Sequence, residues 1–160
     1  CRNHAWREEL LQSWATTAET EGMAAVGKEA ARWMIGPRSF RRVLPALGWM
    51  GPLQLFNPAN AFVSQVKAIL STDDGALNTE LANIVCPTMV VVGNQDVLTP
   101  RGDAEEIASL IPTAELVVIS GGAHGLHIEH ASTFNRILLE FLGRAEKVFV
   151  PYGHAAAVAV

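Results

Sequence analysis

Two short polar loops hold the residues of this 160-residue sequence best suited to proton-transfer chemistry. The first reads Gly93-Asn94-Gln95-Asp96-Val97-Leu98-Thr99-Pro100 and the second Ser120-Gly121-Gly122-Ala123-His124-Gly125. An aspartate that hydrogen-bonds a histidine fixes the imidazole tautomer and stabilises the imidazolium, so the ring can serve as a general base. Asp96 and His124 are the candidate pair. Taken alone, each residue also has an ordinary reading: Asp96 as an Asx turn ahead of a helix, His124 as a loop histidine.

Other reactive residues have weaker surroundings. His124, His127 and His130 recur every third residue, which invites a metal site. A zinc site also wants a fourth ligand and partners that orient its histidines, so no metal and no cofactor are expected. Cys1 could be an N-terminal nucleophile, yet no base adjoins it in sequence. Cys86 precedes an apolar run and reads as an inert core thiol. Trp6, Trp14, Trp33 and Trp49 could line an apolar pocket, although packing a helical core is the commoner use.

The elements that must position the pair follow from periodicity. Residues 88–92 (Thr-Met-Val-Val-Val) form a short β-branched run between Pro87 and Gly93, the pattern of a strand buried on both faces. Thr99 can cap a helix with Pro100 at its first position. That helix runs to Ile111 with Ala104, Ile107, Ala108 and Ile111 on one face, and Asp103, Glu105 and Glu106 suit its positive end. Residues 116–119 make a second buried strand, and 132–142 a final helix ended by Gly143, with Phe134, Leu138, Phe141 and Leu142 facing inward. This is a βαβ unit, so the strands should be parallel with a right-handed crossover. Ligands in open α/β sheets sit beyond the carboxyl ends of the strands. Asp96 and His124 lie just past those ends on strands about 4.8 Å apart, so both side chains can reach one rim.

The first 70 residues read instead as helices: 6–20, then 24–34 with Ala25, Val26, Glu29, Ala30 and Trp33 as its stripe, ended by Gly36-Pro37. An irregular connection carries Pro45, Gly48, Gly51, Pro52 and Pro58. Asn60 then caps a helix to Leu70, with Phe62, Val66, Ile69 and Leu70 on one side, and Asp73-Asp74-Gly75 is a turn signal. Beyond residue 143 only 148–150 suggest a strand.

Composition bounds the function. Hydrophobic residues are 49% and, with the 13 glycines, roughly 57%, against 45–50% in ordinary domains. Charged residues are 18%, and the net charge is -4, which gives no footprint for a nucleic-acid backbone. No apolar run approaches the ~20 residues of a membrane span, and the polar first ten residues do not read as a signal peptide. Two cysteines make no disulfide framework, so a reducing, cytoplasmic setting is expected.

Ile84-Val85-Cys86-Pro87-Thr88, Val90-Val91-Val92-Gly93, Asp96 and Thr99-Pro100 resemble the seventh-strand signature of the α/β-hydrolase superfamily. Ile111-Pro112-Thr113-Ala114-Glu115-Leu116, Gly122-Ala123-His124, Glu129 and Phe134-Asn135 resemble its eighth strand, histidine loop and last helix. The resemblance implies that Asp96 is the triad acid and His124 the triad base. Ala131 stands where the family usually has proline, and Ser132 can cap the helix instead. Trp6-Arg7, Glu21-Gly22-Met23-Ala24-Ala25, Arg32-Trp33 and a helix reaching Asp73 resemble, more loosely, the cap of the 3-oxoadipate enol-lactonase-like branch. The implied organisation is a helical cap at 1–75, the C-terminal βαβα part of an α/β-hydrolase core at 76–145, and a tail at 146–160.

A hydrolase nucleophile would sit in a G-x-S-x-G elbow. Neither Ser39, flanked by Pro37 and Arg41, nor Ser120, flanked by Val118 and Gly122, fits it, and Ser13, Ser64, Ser71, Ser109 and Ser132 lack both glycines. The expectation is a hydrolase of small-molecule esters or lactones whose nucleophile comes from an upstream segment or a companion subunit, with no nucleic-acid or membrane partner. The excess of apolar residues then belongs to faces that pack on that companion. The same pair also serves haloperoxidase, epoxide, C–C hydrolase and acyltransfer chemistry, and a non-catalytic binding module is the alternative from another class.

Overall fold

The computed structural model describes residues 4–41, 58–72 and 74–148. Cys1, Trp49, Asp73, most of the proline-rich 45–60 connection and the residues after 148 lie outside them. The order is α1 (Ala5–Thr20), α2 (Met23–Met34), α3 (Ala59–Leu70), α4 (Asp74–Glu80), a 3-10 turn (Leu81–Asn83), β1 (Thr88–Gly93), α5 (Arg101–Leu110), β2 (Ala114–Ile119), α6 (Leu126–Glu129) and α7 (Ala131–Val148). Residues 37–41 add a further helical turn after α2.

The first three helices share a core. Trp14 and Ala18 of α1, Val26 of α2 and Val63 of α3 are buried against one another, with Leu10, Trp33 and Phe62 half-buried around them. Complete burial of a valine contributes about 1.5–3 kcal/mol, so these contacts and not helix propensity hold the layer. Gly22 takes φ +86 between α1 and α2, where a side chain would be strained. In α3 the buried stripe is Val63 and Val66, while Ile69 is 47% exposed. The helix starts one residue before Asn60, which leaves Pro58 at the cap position.

β1 and β2 pair in parallel, with Thr88 opposite Ala114 and Gly93 opposite Ile119. α5 joins them and packs on both, so the fold class is α/β. Burial on both faces is not realised: only Val92, Gly93 and Ile119 are fully buried and the rest are half-buried. Among the described residues the sheet has two strands, so each keeps an unpaired edge.

Several local signals are not followed in the structure. Asp74 and Gly75 open α4 instead of making a turn. Thr99 does not cap α5; Pro100 occupies that position, and the Thr99 hydroxyl bonds Asp96. α7 runs through Gly143 to Val148, so 148 is helical and Ser132 lies inside the helix. A glycine inside a helix costs about 1 kcal/mol, and the ion pairs Arg136–Glu140 and Arg144–Glu115 flank it. Phe134, Leu138 and Phe141 are half-buried, but Leu142 is 44% exposed. Cys86 lies two residues before β1 and is exposed, not core. Among the described residues no helix is long and apolar enough to cross a membrane.

Candidate active site

The loops leaving β1 and β2 continue the pairing of their strands. Asn94 N–H donates to the Ile119 carbonyl at 3.1 Å, Gln95 N–H to the Gly122 carbonyl at 2.9 Å, and Gly121 N–H to Asn94 Oδ1 at 2.7 Å. Gly121 turns with φ +80. Gly93 permits the closest approach: a Cβ there would lie 2.1 Å from the Gly122 carbonyl oxygen.

This interlock brings Asp96 and His124 together, with His124 Nδ1 3.0 Å from Asp96 Oδ2. The Asp96 side chain is 4% exposed and that of His124 36%, so the acid is enclosed while the ring remains open to a reactant. The Asx turn exists as well. Asp96 Oδ1 accepts the backbone N–H groups of Leu98 and Thr99, each at 2.9 Å. Its Oδ2 accepts the Thr99 hydroxyl at 2.8 Å, and that hydroxyl oxygen lies 3.2 Å from His124 Nδ1.

Burial pushes the Asp96 carboxyl upward, but hydrogen bonds from His124 and from the Thr99 backbone and hydroxyl outweigh it and hold the pKa below its ordinary 3.8. An ionised carboxylate is acceptor-only. The His124 proton therefore belongs on Nδ1, facing Asp96, which leaves Nε2 as the acceptor nitrogen.

A second buried carboxylate, Asp103 of α5, looks in sequence like a first-turn helix charge. It is instead held by Arg7 of α1 at 2.6 Å and by His4 at 3.2 Å. Burial again raises its pKa, and the bonds to Arg7 and His4 lower it further than burial raises it, leaving it below 3.8. The long-range partners carry no local sequence signal. Arg7 also lies over the Trp6 ring, which stacks with Trp33 at 6.2 Å, while Trp14 packs in the core.

Both carboxyls have folded pKa values depressed below their unfolded ones. Their contribution is therefore present above about pH 4 and lost as pH falls through the folded values. Urea midpoints should be flat from pH 7 to about pH 5 and drop below that. Asp103→Asn should cost about 2 kcal/mol at pH 7 and flatten the acid limb, because the charge-assisted bond to Arg7 is lost. An acid limb unchanged in the variant would exclude Asp103 as its source.

Glu129, at the end of α6, is 3% exposed. Its carboxylate accepts the backbone N–H groups of Gly36 and Ala123, each at 2.8 Å. His127 is exposed and packs its edge on Phe134, while His130 lies against Gly121 and Gly122. Among the described residues no group of three or more His, Cys, Asp or Glu side chains could hold a metal ion.

Known proteins share this arrangement of elements, although no protein-family profile matches the chain. Over 87 residues the chain is 30% identical to a protein named carbamate hydrolase RutD from Stutzerimonas stutzeri, a match covering 54% of this chain and 32% of that one. Over 80 residues it is 39% identical to the pimeloyl-acyl-carrier-protein methyl ester esterase of Yersinia pseudotuberculosis, covering 50% and 30%. Its fold matches the enol-lactonase from Burkholderia xenovorans LB400 with a TM-score of 0.76 at 24% identity, over 84% of this chain and 50% of that one. These similarities in sequence and in fold indicate the α/β-hydrolase superfamily. The chain spans about a third of the length of these curated relatives and half of the solved enol-lactonase.

Proposed function

We propose that this chain supplies the triad acid, Asp96, and the triad base, His124, of a hydrolase acting on carboxylic ester or lactone bonds of a small molecule. The observation that carries the reading is the 3.0 Å contact between His124 Nδ1 and a buried, ionised Asp96. The similar proteins above are named as an esterase, a carbamate hydrolase and an enol-lactonase, which supports this reading.

With its Nδ1 proton directed at Asp96, His124 accepts the proton of a nucleophile hydroxyl at Nε2. The alkoxide attacks the carbonyl carbon and forms a tetrahedral intermediate. The imidazolium, stabilised by Asp96, then returns the proton to the leaving oxygen, and water repeats the cycle on the acyl-enzyme. The sequence holds no G-x-S-x-G elbow, so the nucleophile is assigned to a segment other than these 160 residues, on the same polypeptide or a companion. The helical layer is assigned as a cap (residues 1–75) over the core (76–145), in keeping with its own hydrophobic centre. α7 carries the core three residues beyond that boundary.

The test supplies a nucleophile-bearing N-terminal half and assays p-nitrophenyl esters and lactones. Hydrolysis should appear on assembly, and His124→Ala should reduce kcat at least about 10,000-fold. An assembled enzyme that is active and indifferent to His124→Ala would remove His124 from the chemistry.

A further inference from the structure

The backbone on both sides of His124 is tied to one short segment, the end of α2. Ala123 N–H donates to Glu129 Oε2, while Oε1 of the same carboxylate accepts Gly36 N–H, both at 2.8 Å. On the other side, Gly125 N–H donates to the Met34 carbonyl at 2.6 Å. Residues 34–36 thus bracket the residues before and after the histidine. Gly36 leaves room for this: a Cβ there would sit 3.1 Å from both Glu129 Oε1 and Gln95 Oε1.

We infer that Glu129 is a positioning residue, a carboxylate clasp that fixes the His124 loop to the end of α2 and so holds the imidazole against Asp96. The inference rests on the proposed role of the dyad and adds a control point to it. If residues 1–75 are a cap, movement of α2 reaches the base through this clasp. The chemistry asks for a carboxylate. Its two oxygens accept two N–H groups that arrive from different directions, whereas a glutamine offers one oxygen and turns an NH2 toward the second N–H. An aspartate keeps the charge but is one methylene short of spanning both.

The test uses the isotope-labelled 160-residue chain and reads the hydrogen-bonded Nδ1 proton of His124 by NMR, with its exchange against water. Wild type should show the proton. In Glu129→Gln and Glu129→Asp it should exchange at least about tenfold faster or vanish, because the loop opens locally. Val63→Ala, which leaves a cavity in the helical core far from these bonds in the chain, should lower the melting temperature and leave the proton unchanged. Variants that keep the wild-type exchange rate overturn the assignment of Glu129 and leave the dyad standing, as does a Val63→Ala loss equal to theirs. A wild-type spectrum without the proton overturns the dyad reading and the clasp together. If neither Glu129 variant folds, amide exchange in wild type decides. Gly36 and Ala123 opening together supports the clasp, and independent opening overturns it.

Discussion

Asp96→Asn in the assembled hydrolase lowers kcat about 10,000-fold and leaves KM within about twofold. The size follows from which nitrogen carries the proton. Ionised Asp96 accepts from Nδ1–H at 3.0 Å and is itself held by Leu98, Thr99 and the Thr99 hydroxyl. Asparagine can still accept the two backbone bonds through its carbonyl oxygen. Its NH2 then replaces Oδ2, and a donor faces Nδ1. The imidazole responds by moving its proton to Nε2, where it can no longer accept one from a nucleophile. The enclosed site also loses the negative charge that stabilises the imidazolium. The change is confined to the group behind the imidazole, so the loss should fall on kcat. A loss of less than about tenfold would mean that the acid does not set the tautomer.

Gly93→Ala should destabilise the chain by about 4 kcal/mol, above the usual 1–3 kcal/mol of overpacking. The added Cβ would meet the Gly122 carbonyl oxygen at 2.1 Å and its carbon at 2.4 Å, and both are backbone atoms that no rotamer change can move. The Gln95–Gly122 bond at 2.9 Å must break for the loops to separate, and with it goes the approach of Asp96 to His124. Urea denaturation measures the first effect, and the His124 Nδ1 proton reports the second. Wild-type stability in this variant would show that the β1 and β2 loops do not interlock as described.

What the sequence disclosed and what it hid divide along range. The strand–helix–strand order, and therefore the shared rim of Asp96 and His124, rests on local patterns: β-branched runs, Pro112, and glycines past each strand. The Asx-turn reading of Asp96 and its pairing with His124 looked like alternatives, yet both hold, because the two carboxylate oxygens serve different partners. Local signals failed where a distant group competed. Thr99 is a good cap residue whose hydroxyl is taken by Asp96. Asp103 sits where a helix dipole would favour an acid but is claimed by Arg7, 96 residues away in sequence. Gly143 reads as the stop of α7, yet the helix continues through it to Val148. Glu129 stands in the motif that resembles the family's histidine loop and last helix, but its role had no local signal, since its partners are two backbone amides in separate segments. Strand burial was overestimated because a β-branched run encodes an apolar strand and not the number of its neighbours.

If Asp96 and His124 act as one unit on a proton, a double-mutant cycle on kcat of the proposed hydrolase will show it. Asp96→Asn combined with His124→Ala should be no slower than His124→Ala alone, within about threefold, because an acid has nothing to orient once the ring is gone. A double variant slower by the product of the two single losses would mean that the residues contribute independently, and the dyad assignment would be contradicted.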